Sequence, residues 1–391
     1  MEIDYPYFFE ARTYPLHNKP DAYGQFVRMK AYAGENAFLA NSTELLQQKG
    51  NGKFLCGYLA YELNAAFEKI PSPDSGKSIA PLQFFEPEKM QFYDKMEEDQ
   101  DFDFSVEWIE KPRADFRKKE YIETVRAIQS HLQAGDIYEL TFCMQLKGKA
   151  RIRNPYAFYN QLCRLNPAPF SALLKQKNLW LFSASPERFL VKRDRLIASQ
   201  PIKGTIRRSS DKTEDEKLKK ELFLSEKERA ENVMIVDLVR NDLSRIAQKN
   251  SVEVKELFGL HTFPTVHQLI STIEARVKDD IDTIDILRAC FPPGSMTGAP
   301  KISAMQIISA LEKNKRGLFS GSVGYLTPDG DFDFNVVIRS VIYDENTHEI
   351  SIPIGGAITL KSKPEAEYEE CKLKAAATIK ALALEPEDIL W

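Results

Sequence analysis

The spacing of apolar residues is most regular after residue 115, where it predicts five helices. Over 118–133 the apolar residues recur three and four positions apart, and Ala134-Gly135 end the run. Apolar residues at this spacing lie on one face of an α-helix, so this segment is expected to pack as an amphipathic helix. The same pattern predicts further helices over 217–243, 281–289, 299–312 and 364–382.

Short apolar runs between these segments predict strands. They cover 137–146 and 179–191, and the second run is interrupted at Ser185-Pro186. Three more runs cover 317–326, 332–342 and 349–360. These three follow one another closely, as the strands of a meander do. Because helices and strands come in blocks and do not alternate one by one, the pattern favours an α+β fold over a doubly wound sheet.

The first part of the chain has a less regular pattern of apolar and polar residues. Residues 1–105 mix short apolar stretches with polar, turn-rich segments, and they end in an acidic run at 95–103 that is followed by a basic run at 111–119. Charge runs of this kind are typical of solvated surfaces and connecting segments. The sequence therefore predicts a boundary between 1–105 and a second region over 115–385.

Charge and hydropathy exclude several classes of partner. The 391-residue chain has a net charge of −4, so it presents no overall basic field to nucleic acid. No apolar run reaches the roughly 18 residues of a membrane-spanning helix, so no membrane partner is expected. The first residues, Met1 to Asp4, lack the basic region of a secretory signal.

Cysteine and histidine usage bears on compartment and metal. The five cysteines are odd in number and form no C-x-x-C pair, which indicates reduced thiols and a cytoplasmic location. A disulfide framework and a structural zinc site are excluded on the same ground. The five histidines lack the H-x-x-x-H spacing, so no histidine-based metal site is expected.

Two segments place an ionisable side chain beside a strand. Lys203 lies among apolar and small residues in 201–205. Burial there would disfavour the ammonium form, lower the pKa from about 10.4 and make the amine a nucleophile or base. Glu187 follows the interruption at 185–186, and as a general acid it would need a pKa raised by burial. Taken alone, each residue is more commonly a solvated surface side chain.

Carboxylates and small-residue loops supply further candidates. Glu231 shares a stripe of the long predicted helix with Glu228, and Glu370 ends the acidic run of the last helix. Mg²⁺ takes oxygen ligands of this kind, although acidic helix faces are more commonly solvated. The loops at 294–301 and 354–357 would let the carboxylate of a ligand approach the backbone.

The joint occurrence and order of these segments resemble the chorismate-utilising enzymes. The segments are Gly-Asp-Ile-Tyr (135–138), Ser-Pro-Glu (185–187), Pro-Ile-Lys-Gly-Thr (201–205), the helical run 230–243, Gly-Ser-Met-Thr-Gly-Ala-Pro-Lys (294–301), 317–325, Ile-Arg-Ser (338–340) and 367–374. The resemblance covers about residues 115 to 385, and the motif in the long helix is highly specific to that family.

The resemblance implies an α+β fold, a single large chorismate-binding domain of antiparallel sheets with helices outside, as in anthranilate synthase component I. Residues 1–105 would be a shortened N-terminal part of that fold and 115–385 its catalytic region. The resemblance also implies Mg²⁺, held by Glu231 and Glu370 against the ring carboxylate of chorismate. It assigns His267 to the active site. Substrate contacts are implied for Gly204, Thr205, Tyr325, Arg339, Gly355, Gly356, Ala357 and Lys301.

Position 203 distinguishes branches of the family. Anthranilate synthases resemble Pro-Ile-Ala-Gly-Thr here, whereas the enzymes that form 4-amino-4-deoxychorismate carry lysine. The resemblance implies that Lys203 attacks C2 of chorismate while Glu187 protonates the departing C4 hydroxyl. Ammonia would then add at C4 and displace the lysine. Glu139 departs from the pattern, because the amidating enzymes resemble glutamine at this position.

Partners and alternatives follow from the same comparison. The chain has no Gly-x-Cys-x-Gly elbow, so ammonia is expected from a glutamine amidotransferase subunit or from solution. A lyase would convert the product to 4-aminobenzoate for folate.

The alternatives are anthranilate formation, which Lys203 disfavours, salicylate formation, which Glu139 disfavours, and a non-catalytic partner protein of the same fold. The set Glu187, Lys203, Glu231 and Glu370 weighs against a non-catalytic role.

Overall fold

The computed structural model describes residues 3–13, 27–50, 52–71, 73, 75, 79–93 and 103–391. Met1 and Glu2 lie outside the described residues. The acidic run at 95–103 lies outside them too, apart from Asp103. The helices are α1 (Thr43–Lys49), α2 (Asn64–Glu68), α3 (Lys118–Ala134), α4 (Pro155–Leu165), α5 (Lys212–Leu224), α6 (Glu226–Ser244), α7 (Thr283–Cys290), α8 (Lys301–Leu311) and α9 (Pro364–Ala381). The strands are β1 (Tyr7–Thr13), β2 (Val27–Ala33), β3 (Leu39–Ala40), β4 (Leu55–Leu59), β5 (Leu82–Phe85), β6 (Lys89–Tyr93), β7 (Ser105–Ala114), β8 (Glu139–Arg153), β9 (Ala172–Gln176), β10 (Leu179–Ser183), β11 (Arg188–Arg193), β12 (Leu196–Gln200), β13 (Ile202–Arg207), β14 (Glu253–Thr262), β15 (Val266–Arg276), β16 (Gly298–Ala299), β17 (Ser322–Leu326), β18 (Phe332–Asn335), β19 (Ser340–Asp344) and β20 (Glu349–Ile358).

These strands form two sheets with antiparallel pairing throughout. Sheet I has the order β16-β8-β20-β19-β10-β9-β1-β2-β6, and β7 also pairs with β8. Sheet II has the order β13-β15-β12-β11-β18-β17-β4-β5-β3, and β14 also pairs with β15. Strands from before residue 105 belong to both sheets, because β1 pairs with β9 and β4 pairs with β17.

Three apolar layers hold the sheets and helices together. Successive side chains of a strand point to opposite faces, and β1 shows the result. Tyr7 and Phe9 pack in the layer between the two sheets, whereas Phe8 packs on the other face of sheet I with Val125 of α3. Val239 of α6 belongs to a third layer, on the outer face of sheet II. The molecule is therefore layered as helix, sheet, sheet and helix, in agreement with the α+β prediction.

Most of the predicted helices are confirmed, with ends shifted by a few residues. The segment 118–133 is α3, and 364–382 is α9. The single helix predicted over 217–243 is wrong, because the chain forms α5 and α6 with a break at Ser225. Ser225 has an extended backbone, and its side chain accepts a hydrogen bond from the N–H of Glu228 as the N-cap of α6.

Two of the segments in which the chain crosses between the sheets are 184–187, the first crossover, and 336–339, the second crossover. The interruption predicted at Ser185-Pro186 is the first crossover, since β10 belongs to sheet I and β11 to sheet II. The continuous strand predicted over 332–342 is wrong, because β18 lies in sheet II and β19 in sheet I. The last strands therefore do not form one meander.

The two crossovers are hydrogen-bonded to each other. The N–H of Ala184 donates to the carbonyl of Arg339 (3.2 Å), and the N–H of Val336 donates to the carbonyl of Glu187 (3.0 Å). The buried hydroxyl of Ser185 donates to the carbonyl of Val336 (2.6 Å). These bonds satisfy backbone groups that have left their sheets, and they fix Glu187 and Arg339 relative to each other.

The first crossover ends at a buried ion pair. Arg188 is 1% exposed, and its Nε and Nη2 donate to the two carboxylate oxygens of Asp333 on β18, each at 3.0 Å. Its Nη1 donates to Gln200 of β12 (2.9 Å). Three strands of sheet II thus hold the residue that follows Glu187.

We expect Asp333→Ala to lower the free energy of unfolding by about 3–5 kcal/mol, because it leaves a buried guanidinium without its carboxylate. Urea unfolding followed by circular dichroism measures the change. Asp329→Ala removes an exposed carboxylate from the β17–β18 turn and should cost less than about 0.5 kcal/mol. Equal losses in the two variants would contradict the structural role of Asp333.

Candidate active site

A cavity of about 700 Å³ opens where the two crossovers meet β13, β20, α6 and α9. This volume lies within the range of small-molecule sites. Strand β13 is at one end of sheet II, whereas β20 belongs to sheet I, so both sheets contribute. The predicted site residues that line the cavity are Glu187, Lys203, Gly204, Thr205, Glu231, Arg339, Gly355, Gly356, Ala357 and Glu370.

Lys203 is the second residue of β13, at an irregularity in the strand. The pairing of β13 with β15 shifts register between Ile202 and Thr205. Such a bulge bends the strand and changes the direction of a side chain. Gly204 has a φ of +87°, which glycine adopts without strain. The Lys203 side chain is 10% exposed and forms an ion pair with Glu139.

Glu139, the first residue of β8, reaches Lys203 from sheet I. Its side chain is fully buried, and Oε1 accepts a hydrogen bond from Lys203 Nζ. The backbone of β8 also pairs with β16. A Cβ atom added at Gly298 of β16 would lie 2.1 Å from the Glu139 carbonyl oxygen. Glycine at 298 therefore permits this pairing, and the ion pair joins the two sheets at the cavity.

The pKa of Lys203 is higher than that of an ordinary lysine. Burial acts to lower it, but the carboxylates of Glu139, Glu231 and Glu187 outweigh burial. The expectation of a lowered pKa for Lys203 is therefore wrong in direction, because the neighbouring carboxylates outweigh burial. Lys203 is an ammonium ion when the cavity holds no ligand.

Glu187 has the environment of a general acid. Burial raises its pKa to about 7, against the lowering effects of Ser295, Lys203 and Arg339. A carboxyl group with this pKa is partly protonated at neutral pH and able to donate a proton. The direction expected from the sequence is confirmed for this residue.

Glu231 on α6 and Glu370 on α9 bring two more carboxylates to the cavity. Burial raises the pKa of Glu231 to about 7. Its Oε1 is buried with no hydrogen-bond partner among the described residues, although Lys227 Nζ lies 3.8 Å away. Burial acts to raise the pKa of Glu370 as well, but Lys374, 2.8 Å away, and other lysines hold it below its ordinary value.

This pair of carboxylates suits a hard divalent cation. The described residues contain no cluster of three or more His, Cys, Asp or Glu side chains arranged for a metal. Mg²⁺ does not need such a cluster, because it commonly takes one or two protein carboxylates and completes its shell with water and ligand oxygens. The buried Glu231 oxygen that accepts no hydrogen bond from the described residues is the observation that fits such an ion.

Arg339 and a glycine-containing strand offer a place for a carboxylate. Arg339 lies in the second crossover, where burial lowers its pKa and the charge of Glu187 opposes that change. A guanidinium keeps its proton in proteins and grips a carboxylate through two parallel hydrogen bonds. Gly355, Gly356 and Ala357 line the cavity on β20, where their small side chains leave the backbone accessible.

Tyr325 is not among the residues that line the cavity. Its ring stacks on Phe54, with the centroids 5.6 Å apart, and its hydroxyl accepts a hydrogen bond from Arg193 Nη2 (3.0 Å). Phe319, six residues earlier, is an aromatic residue that does line the cavity. The contact of Tyr325 with substrate stays a prediction.

His267 also lies outside the cavity lining. Its neighbours on β15, Val266 and Gln268, line the cavity, so strand alternation directs His267 to the other face. There its Nε2 is hydrogen-bonded to Asp215 (3.0 Å) and its Nδ1 to Thr262 (2.9 Å). The assignment of His267 to the active site stays a prediction, and in the structure its ring holds Asp215 and Thr262 behind the cavity wall.

Lys301 is engaged within the fold. Its Nζ donates to Asp242 Oδ2 (2.5 Å) and to the carbonyls of Cys290 (2.8 Å) and Pro292 (3.0 Å). An ammonium group has three protons, so all of them are used. Lys301 is not in the cavity lining, and the substrate contact implied for it stays a prediction.

Sequence reasoning missed other lining residues, namely Asn166, Ser295, Gln268 and Phe319. Ser295 and Gln268 lie within or beside segments that the sequence singled out, and their polarity was the available signal. Phe319 had no signal of its own, because a single aromatic residue in an apolar run is typical of a core.

The family model for chorismate binding enzymes matches residues 6–380. The chain belongs to this family. The match includes both crossovers and every predicted site residue, and it begins just before β1. Members of this family are chorismate binding enzymes, and the match covers most of this chain.

Aminodeoxychorismate synthases are among the similar proteins. The chain is 46% identical over 271 residues to the chloroplastic enzyme of Arabidopsis thaliana, covering 68% of this chain and 29% of that protein. It is 40% identical over 283 residues to aminodeoxychorismate synthase component 1 of Escherichia coli, covering 72% and 61%. It is 33% identical over 359 residues to anthranilate synthase component 1 of Thermus thermophilus, covering 84% and 77%. The chain thus spans about a third to three fifths of the length of these two aminodeoxychorismate synthases.

The fold is confirmed by a solved structure, anthranilate synthase component I of Streptococcus pneumoniae. The TM-score is 0.74 at 22% identity, with 97% of this chain and 93% of that chain covered. The domain is therefore of the anthranilate synthase component I type, as the sequence predicted. None of the helices in the described part of the chain has the length and apolar character needed to span a membrane.

We expect Arg339→Lys to weaken chorismate binding at least about tenfold, because an ammonium cannot reproduce a two-point grip on a carboxylate. Tyr325→Phe should change the dissociation constant less than about twofold, since its hydroxyl contacts Arg193 and not the cavity. Isothermal titration with chorismate measures both. A loss in Tyr325→Phe as large as that in Arg339→Lys would show that Tyr325 contacts the ligand.

Proposed function

We propose that this chain converts chorismate and ammonia to 4-amino-4-deoxychorismate through a covalent bond between Lys203 and the substrate. The observation that carries the proposal is a buried lysine in the same cavity as Glu187, a carboxyl group whose pKa is about 7. The similarity to aminodeoxychorismate synthases, at 40–46% identity, supports the same reaction.

The proposed reaction has two substitutions. In the first, Lys203 Nζ bonds to C2 of chorismate, the two ring double bonds shift, and the C4–O bond breaks. Glu187 protonates the departing hydroxyl, which leaves as water. In the second, ammonia bonds to C4, the double bonds shift back, and the C2–N bond to Lys203 breaks. Each step replaces one group by a neutral nucleophile, which divides a difficult exchange into two easier ones.

We assign Glu231 and Glu370 as the protein ligands of Mg²⁺. Bound there, the ion would act as a Lewis acid on a carboxylate of chorismate. The buried Glu231 oxygen that accepts no hydrogen bond from the described residues supports this assignment. Arg339 would hold the second carboxylate and orient the ring, so that C2 faces Lys203 and C4 faces Glu187.

We further propose that ammonia comes from a glutamine amidotransferase subunit and that a lyase converts the product to 4-aminobenzoate for folate. The designation of the Escherichia coli relative as component 1 is consistent with a partner component. A cytoplasmic location is supported by the five cysteines, which are all buried and unpaired.

Anthranilate formation is the second candidate, favoured by the similarity to anthranilate synthase component 1 over 84% of this chain. In that reaction nitrogen enters at C2, the carbon that Lys203 is proposed to attack. A lysine there would compete with ammonia for C2, which is why we prefer the 4-amino product.

We expect the purified chain, given chorismate, Mg²⁺ and ammonium, to form 4-amino-4-deoxychorismate. Mass analysis of the products, with and without an added lyase, distinguishes the candidates, because only the 4-amino product yields 4-aminobenzoate. Anthranilate and pyruvate as the main products would overturn the proposal.

Lys203→Ala should lower formation of the 4-amino product by about 10²-fold or more, since it removes the nucleophile. The space it leaves beside C2 should admit ammonia and give a C2-aminated product at high ammonium. Lys203→Arg should be nearly as inactive, because a guanidinium stays protonated. If Lys203→Ala forms the 4-amino product at close to the original rate, ammonia attacks without covalent help.

Glu231→Gln should abolish Mg²⁺-dependent turnover and leave the fold intact, because an amide is a poor ligand for this ion. Rates at limiting and saturating Mg²⁺, with circular dichroism, measure the change. Glu226→Gln, on the first turn of the same helix, is the control and should keep its Mg²⁺ dependence. Unchanged activity of Glu231→Gln at limiting Mg²⁺ would remove it from the ligand set.

A further inference from the structure

The Lys203–Glu139 pair raises a question that the proposed reaction does not answer. A lysine attacks carbon through its lone pair, and an ammonium has none. Because Lys203 Nζ is held in an ion pair with the Glu139 carboxylate, a proton must leave Nζ before or during attack. The side chain is 10% exposed, so near neutral pH the proton needs an acceptor within the cavity.

Four carboxylates face Lys203 from four elements: Glu139 on β8, Glu187 in the first crossover, Glu231 on α6 and Glu370 on α9. Among the described residues, only Glu139 is hydrogen-bonded to Nζ. Glu187 has to be protonated to release the C4 hydroxyl, so it cannot accept the proton in the same step. Glu231 and Glu370 are assigned to the metal ion.

The position of Glu139 suits a proton acceptor. Its carboxylate is fully buried, and Oε2 has no hydrogen-bond partner in the described part of the chain. A carboxylate oxygen that accepts a hydrogen bond from an ammonium group is placed to take its proton. The pairing of β8 with β16 holds the backbone of Glu139 in place.

We propose that Glu139 is the base that takes a proton from Lys203 Nζ as the amine attacks C2 and returns it when the amine departs. This inference rests on the proposed covalent role of Lys203. It also accounts for a carboxylate at the position where the amidating members of the family resemble glutamine.

The proton balance closes over the two substitutions. The Lys203 ammonium gives one proton to Glu139, and the neutral amine bonds to C2 and becomes a secondary ammonium. When ammonia displaces it, the C2–N electrons return to Nζ and Lys203 leaves as a neutral amine. The proton on Glu139 then restores the ammonium. The proton that Glu187 gives to the hydroxyl is replaced from the new C4 ammonium group.

The test compares variants at position 139 in the first substitution alone. Enzyme, chorismate and Mg²⁺ are mixed without ammonia, quenched in time and examined by intact-protein mass spectrometry for an adduct of chorismate less one water. Glu139→Gln keeps the shape but is not basic, Glu139→Asp keeps a carboxylate, and Lys203→Ala is the control without a nucleophile. Each rate is divided by that of the unmodified chain at the same pH, which cancels the shared titration of Glu187.

We expect Glu139→Gln to form the adduct about tenfold or more slowly than the unmodified chain near pH 6.5, because each pH unit below the lysine pKa reduces the free amine tenfold. The deficit should shrink to about threefold or less near pH 9, where solvent removes the proton. The deficit of Glu139→Asp should not change with pH. The dissociation constant for chorismate should stay within about twofold in both.

Three results would overturn the inference, and one would instead overturn the proposed function. A Glu139→Gln rate equal to that of the unmodified chain at both pH values would make Glu139 dispensable. A deficit that is constant with pH, or one accompanied by weakened chorismate binding, would make its role structural. Absence of any adduct in the unmodified chain would remove the covalent step itself.

Discussion

The cavity depends on one constraint, which is that two backbone segments leave one sheet for the other at the same place. A strand that leaves its sheet carries N–H and C=O groups that must find new partners. The two crossovers supply these partners to each other, through the bonds of Ala184 with Arg339 and of Val336 with Glu187. Their side chains are thereby brought to the junction of the sheets, where the Glu187 carboxyl and the Arg339 guanidinium lie close enough to influence each other's pKa.

Burial and charge together assign different protonation states to similar groups. Glu187 and Glu231 both have a pKa near 7, whereas that of Glu370 is lowered by neighbouring lysines. Lys203 keeps its proton because several carboxylates share one ammonium. A site in which the carboxyl pKa values are separated by environment is able to hold an acid and metal-binding groups side by side.

Sequence periodicity predicted the elements whose stability is local. The helices α3 and α9 and the strand interruption at Ser185-Pro186 were all expected from spacing and proline chemistry. The break at Ser225 was not, because a serine within a long polar and apolar pattern is as compatible with a helix interior as with an N-cap.

The remaining differences depend on contacts between distant parts of the chain. Nothing in the branched, apolar run at 336–338 shows that the strand changes sheets, since such residues suit either sheet. Likewise the sequence does not show that His267 faces away from the cavity while its neighbours face it. The direction of the pKa shift of Lys203 required knowledge of Glu139, 64 residues earlier in the chain.

The position of β20 has a consequence for how the protein is made. This strand lies inside sheet I, between β19 and β8, and its ten-residue pairing with β8 runs from Glu349 to Ile358. A ribosome therefore releases β8 long before it releases this partner, and the contact that joins the crossovers closes a loop of 151 residues. Contacts so distant in sequence form slowly. Until residues 349–358 emerge, β8 lacks this partner and the ligand site is incomplete, so folding aids that shield open strand edges would act on the nascent chain up to that point.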